Sequence, residues 1–420
     1  MASKDYVKIA RQYAANVMSG KIPACKWVKL AVGRQLDDLK TYSADRAVFV
    51  FDEGEANRVC RFIELLTHTK GELAGMRIKL EPWQIFILTT VFGWRRRDDG
   101  GRRYRRAYVE VPRGNGKSTL LSGVGLYCLV ADREGGAEVY SFATTRDQAK
   151  IVFGDAKVMA ERNAPLRNKF GLQVLANALY VPTSNSTFQA KSAEGSTLDG
   201  LNTHLAIIDE LHAHKTRAVY DVVETSTGKR KNSLMFVITT AGFDTSGICY
   251  EVRTMVTKVL EKSVVDETQF GIIYGLDEGD DWTTVEALEK ANPNWGISVR
   301  PEVITSLMKK AIALPSAVNN FKTKHLNIWC SASSAWMDMQ AWEAGRSMSI
   351  EATSKVSPAT SAWTSEQRTT SRPRCFSFRS ASPSLSSPTF ICLRPPSSDR
   401  RTASIAGGLK KGGSRNRAAQ

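Results

Sequence analysis

The chain has 420 residues, 42% of them hydrophobic and 24% charged, a composition suited to burying one or more cores and unlike that of a disordered or fibrous protein. The formal charge of +16 suggests a polyanionic partner, but +10 of it falls in residues 346–420, and the +6 left for the first 345 residues is a weak argument for nucleic acid. The 7 cysteines are scattered with no Cys-x-x-Cys, which excludes a zinc ribbon and a disulfide framework and fits a reducing cytoplasm; no leader and no apolar run near 18 residues stands in the sequence, which argues against secretion and membrane spanning.

In chain order, residues 1–66 place apolar side chains at helical spacing (Tyr6, Ile9, Ala10, Tyr13, Ala14, Val17) and end on Phe62, Ile63, Leu65 and Leu66, which predicts a small helical lead-in. Residues 71–78 read as a loop and short strand. Leu80 to Leu88 reads as a helix with Pro82 in its first turn. Within it, Trp83 could stack on an adenine and the Gln84 amide could bond its edge; the plainer reading is a core tryptophan beside a solvated glutamine. Arg95 to Arg106 reads as a basic hairpin turning at Asp98-Asp-Gly-Gly, which either meets a phosphate backbone or a neighbouring subunit's nucleotide, or is simply solvated.

From residue 107 the pattern becomes strand, helix, strand, helix. Candidate strands are 107–111, 138–143, 204–208, 234–239 and 270–276, nearly continuous in apolar residues, so the sheet is expected to be parallel and covered on both faces. Ligands in such sheets sit at the carboxyl ends of the strands. There the first strand runs into Pro112-Arg-Gly-Asn-Gly-Lys-Ser-Thr119, a tight loop opening a helix at Lys117. Backbone N–H groups of such a loop converge on one point with the positive end of the helix behind them, a phosphate cradle. Gly114, Asn115, Gly116, Lys117, Ser118 and Thr119 are its candidate nucleotide-binding residues. Lys117 would reach the β/γ-phosphates and the Ser118 hydroxyl would hold Mg²⁺, although Val111 stands where the usual motif has its first glycine.

Two further strand ends carry chemistry. His204-Leu-Ala-Ile-Ile-Asp-Glu210 ends in two carboxylates: Asp209 as a Mg²⁺ ligand, Glu210 to polarise the attacking water. Phe236-Val-Ile-Thr-Thr-Ala-Gly242 ends in hydroxyls and a glycine; Thr239 or Thr240 could bond the γ-phosphate or the attacking water and pass its state on. Arg113 could neutralise charge in the transition state. Thr145 reads as a helix N-cap. His212 and His214 lack a third ligand at a suitable spacing and read as a loop.

Together these residues resemble the ATPase half of a tailed-phage terminase large subunit, from about Trp27 to Trp342. Glu81-Pro-Trp-Gln84 resembles the family's adenine motif, Pro112 to Ser118 its phosphate loop without the first glycine, Ile207-Ile-Asp-Glu210 its Walker B motif, Thr239-Thr-Ala-Gly242 its coupling motif, and Phe321 to Trp329 the segment that closes the ATPase region. The resemblance implies a RecA-like α/β fold with a mostly parallel central sheet, ATP and Mg²⁺ as cofactors, and a homo-oligomeric ring on a portal protein that drives double-stranded DNA into a procapsid. It also implies a small-subunit partner and the cytoplasm of the bacterial host. The expected layout is a lead-in (1–66), a phosphate-loop ATPase core (67–245), its C-terminal part and linker (246–345), and a tail (346–420). That tail stands where the family has an RNase H-like nuclease. It is rich in Ser, Arg and Pro, offers only Glu351, Glu366 and Asp399 as acids, and reads as disordered and basic. Back-translation two bases out of frame permits nuclease-like strings, so a frameshift near Gly345 with loss of the nuclease is expected. The other readings are a non-enzymatic remnant that binds DNA, or another RecA-like enzyme such as a helicase, which would need a second RecA-like domain.

Overall fold

A computed structural model of the chain describes residues 4–144, 146–192 and 200–331. Thr145 and residues 346–420 lie outside the described residues, and with them the expected N-cap and tail.

The N-terminal helices are set by caps and stripes. Asp5 accepts from the Lys8 N–H and opens α1 (Tyr6–Met18), which buries Tyr6, Val7, Ala10, Tyr13, Ala14 and Val17 on one face. Then come α2 (Lys26–Thr41), a short strand β1 (Phe49–Phe51), and α3 (Glu53–Ile63), capped by Asp52. In α4 (Pro82–Gly93) a capping box joins Glu81 and Gln84 across the first turn, and almost every side chain is buried. This region is continuous with the main core: the Tyr13 hydroxyl lies 3.2 Å from that of Tyr274, and Cys25 Sγ donates to Ile273 O.

The remaining elements are β2 (Trp94–Arg96), β3 (Arg106–Glu110), α5 (Lys117–Val130), β4 (Glu138–Ala143), α6 (Arg146–Arg162), α7 (Ala164–Phe170), β5 (Gln173–Val174), β6 (Leu179–Val181), β7 (Ser186–Ser192), β8 (Leu205–Asp209), α8 (Ala218–Ser226), β9 (Leu234–Thr239), α9 (Ile248–Leu260), β10 (Gln269–Ile273), α10 (Val285–Ala291), α11 (Pro301–Ala313) and α12 (Pro315–His325). The main sheet runs β10-β3-β9-β8-β4-β7-β6-β5. Its first six strands are parallel and the β6 and β5 edge is antiparallel. Every residue of β8, β9 and β10 is buried, and because alternate side chains point to opposite faces, both faces of the sheet are covered. Helices α5 and α6 pack on β4 and β7, and α2 and α9 on β10. A second, smaller core of Trp282, Leu288, Val299, Ile304, Met308, Phe321 and Leu326 joins α10, α11 and α12. No helix among the described residues is long and apolar enough to cross a membrane.

The expected basic hairpin is corrected. Arg95 and Arg102 do pair across a turn, and Arg97 at its tip is exposed, but most of the other arginines are held by the protein's own acids and carbonyls. Arg102 is fully buried and bonds both Asp132 oxygens, at 3.0 and 2.8 Å, while His204 Nε2 meets the same carboxylate at 2.7 Å. Arg103, also buried, pairs with Asp38 and Glu267 and lies over the rings of Trp94 and Phe49. Arg96 pairs with Asp99, Arg106 with Glu224 and Asp266, and Arg105 donates to Thr227 O and Arg230 O. These side chains lock the end of the sheet away from the phosphate loop. Residues 71–78 form a loop with one isolated bridge, Thr67 to Arg77, and no strand.

Candidate nucleotide-binding site

Sheet order creates the site. β9 lies between β3 and β8, with Glu110 opposite Thr239 and Asp209 opposite Ile238. The three strand ends therefore deliver the phosphate loop, the Thr239-Thr240 pair and the Asp209-Glu210 pair to one carboxyl edge. Gly114 and Gly116 take left-handed φ of 88° and 72°, which a side chain resists and which lets successive amides turn toward one point. Gly116 then caps α5, so the helix begins with Lys117 directly behind the loop.

The expected residues converge. Lys117 is buried; its Nζ lies 3.1 Å from Val111 O and 3.7 Å from Glu210 Oε1. Ser118 and Thr119 are part-exposed in the first turn of α5, and Arg113 is exposed at the loop tip. The Thr240 hydroxyl sits 3.5 Å from Glu210 Oε2, and the Thr239 hydroxyl accepts from His212 N–H at 3.1 Å. Glu210 adopts φ 52° and ψ 51°, a strained backbone for a residue with a side chain, of the kind that gathers at functional sites.

The two adjacent acids are driven apart. Burial and the neighbouring Glu210 charge push Asp209 up to about 7. Burial alone would raise Glu210 as well, but the hydrogen bond from His212 and the charge of Lys117 overcome it and hold Glu210 down at about 2. Burial also lowers Lys117. Asp209 Oδ1 is buried with no hydrogen-bond partner among the described residues. A buried, orphaned carboxylate oxygen is a hard-oxygen donor of the kind that fits Mg²⁺.

Some expectations are corrected. Trp83 does not offer a face for stacking: only 2% of it is exposed, its Nε1 donates to Asn294 Oδ1 at 2.6 Å, and its ring meets Tyr274 edge-on. Gln84 is buried too; its Oε1 is occupied by the Glu81 N–H, so only its nitrogen, close to Gly116, is directed at the loop. The Asn115 side chain is fully buried, so a role in phosphate binding falls to its backbone N–H. The side chain donates to Pro112 O and Asn292 Oδ1 and accepts from Asn294 N–H. His212 Nδ1 lies 3.1 Å from Glu210 Oε2, beside the acid pair.

The sequence reading missed the residues behind the loop. Asn292 also donates to His325 O, Ser298 Oγ to Gly114 O, and Asn294 Nδ2 to Ser298 Oγ, while the Arg113 N–H donates to Lys324 O. The α10–α12 region thus cradles the phosphate loop from outside. The signal in the sequence was Asn292-Pro-Asn-Trp-Gly296, a turn-forming cluster.

Residues 82–258 match the family model "Terminase large subunit, ATPase domain", and residues 263–354 match "Terminase large subunit, endonuclease domain". The second match starts well before the compositional break at residue 346 and takes in β10 and α10–α12, which pack with the ATPase sheet and its loop. The chain is 46% identical over 152 residues to Protein YmfN of Escherichia coli strain K12, covering 36% of this chain and 33% of YmfN. It is 27% identical over 290 residues to the large terminase subunit of Enterobacteria phage HK97, covering 68% of this chain and 55% of that one. The crystal structure of the HK97 large terminase superposes with a TM-score of 0.57 at 25% identity, over 69% of this chain and 58% of the other. The chain therefore spans about a third of YmfN and just over half of the HK97 subunit.

Proposed function

We propose that the chain is a terminase large subunit and that residues 1–345 act as an ATPase that hydrolyses ATP with Mg²⁺ and drives double-stranded DNA into a procapsid. The observation that carries the reading is the convergence of three separate strand ends, with Lys117 Nζ 3.7 Å from Glu210 Oε1 and Thr240 Oγ1 3.5 Å from Glu210 Oε2. Gly114, Gly116 and the α5 N-terminus bind the phosphates, and Lys117 neutralises them. Ser118 and Asp209 would hold Mg²⁺, which when bound shields phosphate charge. Glu210, ionised at neutral pH, orients the attacking water rather than storing its proton. Arg113, exposed at the loop tip, is free to meet charge that develops in the transition state. The ring assembly, the portal protein, the terminase small subunit and a place in the host cytoplasm come to this chain from the family alone.

Phosphate release measured with and without duplex DNA tests this. Wild type is expected to turn over faster with DNA and Lys117→Ala to lose turnover; equal rates in the two would reject the site. The frameshift is a separate proposal: sequencing the encoding DNA around codon 345 should reveal a coherent nuclease in another frame, and finding none would remove it.

A further inference from the structure

A chain of contacts leads from the acid pair through His212 toward Trp329. His212 stands on the single 3₁₀ turn Leu211–Ala213 that follows Glu210. Its ring Nδ1 lies 3.1 Å from Glu210 Oε2, 3.1 Å from Thr239 Oγ1 and 3.4 Å from Thr240 Oγ1. Counting protons separates these contacts. The Thr239 hydroxyl donates to Thr240 O at 3.0 Å, and the Thr240 hydroxyl donates to Ala241 O at 3.1 Å. An ionised carboxylate has no hydrogen to give, so the Nδ1–H donates to Glu210, and the two threonine oxygens beside the same nitrogen can only share that hydrogen.

The other side of His212 touches Gly242. A Cβ built on Gly242 would lie 3.1 Å from His212 Cβ and 3.1 Å from Trp329 Cζ3, so glycine here is the gap across which those two side chains face each other. Trp329 is anchored in turn. Its Nε1 donates to Glu110 Oε1 at 3.1 Å, its ring meets Tyr250 edge-on at 5.1 Å, and the next residue, Cys330, donates its N–H to Gly242 O at 3.4 Å. Glu110 is the fully buried last residue of β3, one step before Val111 and the phosphate loop, and it also accepts from the Tyr108 hydroxyl.

We infer that His212 is a positioning residue for hydrolysis: it orients Glu210 through Nδ1–H and, across Gly242, ties the placement of that carboxylate to Trp329. The inference rests on the ATPase reading above. Glu210 would shift when a γ-phosphate and water occupy the site, and His212 is the side chain placed to carry that shift to Trp329.

The full 420-residue chain tests this, labelled with 5-fluorotryptophan, with Trp329→Phe used to assign the Trp329 ¹⁹F resonance. His212→Ala is expected to lower kcat by about 100-fold while ATP affinity changes by no more than about twofold, because misplacing a reacting group costs rate more than binding. His212→Asn, which keeps a donor near the Nδ1 position, should recover most of the loss. Gly242→Ala should lose kcat like His212→Ala. The Trp329 resonance should move when Mg²⁺ and AMP-PNP are added to wild type and stay still in His212→Ala. A wild-type kcat in His212→Ala, an unchanged Trp329 response in that variant, or equal losses in His212→Ala and His212→Asn would each overturn the inference. If wild type neither binds nor hydrolyses Mg·ATP, the ATPase reading itself fails and the inference goes with it.

Discussion

At the scale of single residues, the site depends on two neighbouring carboxylates held in opposite states. Asp209 is buried beside the Glu210 charge, and its carboxyl is raised to about 7. A folded-state pKa above the unfolded one stabilises below the unfolded value and loses that stabilisation as pH rises through the folded value. Without Mg²⁺, Asp209→Asn is therefore expected to melt at a higher temperature than wild type at pH 8, by a smaller margin at pH 5, and at the same temperature only near about pH 3.5, below the unfolded value of 3.8. A variant less stable than wild type at both pH 8 and pH 5 would show that Asp209 is not a strained buried charge. Magnesium should reverse the order at pH 8, because a cation at Asp209 favours the ionised form. The residue types at these strand ends were legible in the sequence, since an apolar run ending in Asp-Glu or Thr-Thr has few purely structural explanations beside a phosphate loop. What each side chain bonds to was not legible. Trp83 and Asn115 looked like ligand contacts, yet an indole N–H and a carboxamide in a dry interior need partners, and Asn294 and Asn292 supply them.

At the scale of elements, the phosphate loop is a conformation kept in place by its neighbours. Asn294 alone accepts from Trp83, donates its backbone N–H to Asn115 and donates its amide to Ser298. Asn294→Ala leaves the buried Trp83 N–H unpaired, which costs about 1–3 kcal/mol. Chemical denaturation should show that loss and ATP titration should show weaker binding; wild-type values for both would mean that the α10–α11 connection only borders the loop. The arginine hairpin gives a second test. Removing one partner from a buried ion pair costs about 3–5 kcal/mol, so Arg102→Met should lose stability in that range while the folded fraction binds duplex DNA as wild type does. A well-folded Arg102→Met that no longer binds DNA would return the hairpin to a DNA-contacting role. The charge run misled because arginines at a turn usually face water, whereas here Asp132, Asp38, Glu224 and Asp266 arrive from distant segments to meet them. The same distance in sequence hid β5, β6 and β7. β7 reads Ser-Thr-Phe-Gln-Ala-Lys-Ser, too polar to stand out, and becomes a strand by pairing with β4.

At the scale of the whole molecule, the parallel α/β architecture was the most legible feature. Strands 138–143 and 234–239 begin and end where the apolar runs do, and β3 and β8 are displaced by one residue from the expected bounds. Buried central strands advertise themselves, because both faces must be apolar. Strand order was not readable. The insertion of β9 between β3 and β8 is what places Thr239 and Thr240 beside Glu210, and it follows from packing that no local pattern encodes. The proposed motor stands or falls on this one edge of the sheet binding ATP and hydrolysing it through Glu210. Phosphate release and ATP binding measured together on wild type and Glu210→Gln test that claim most directly. The account predicts that Glu210→Gln binds ATP as wild type does and turns over at least about 100-fold more slowly; hydrolysis at the wild-type rate by Glu210→Gln would contradict it.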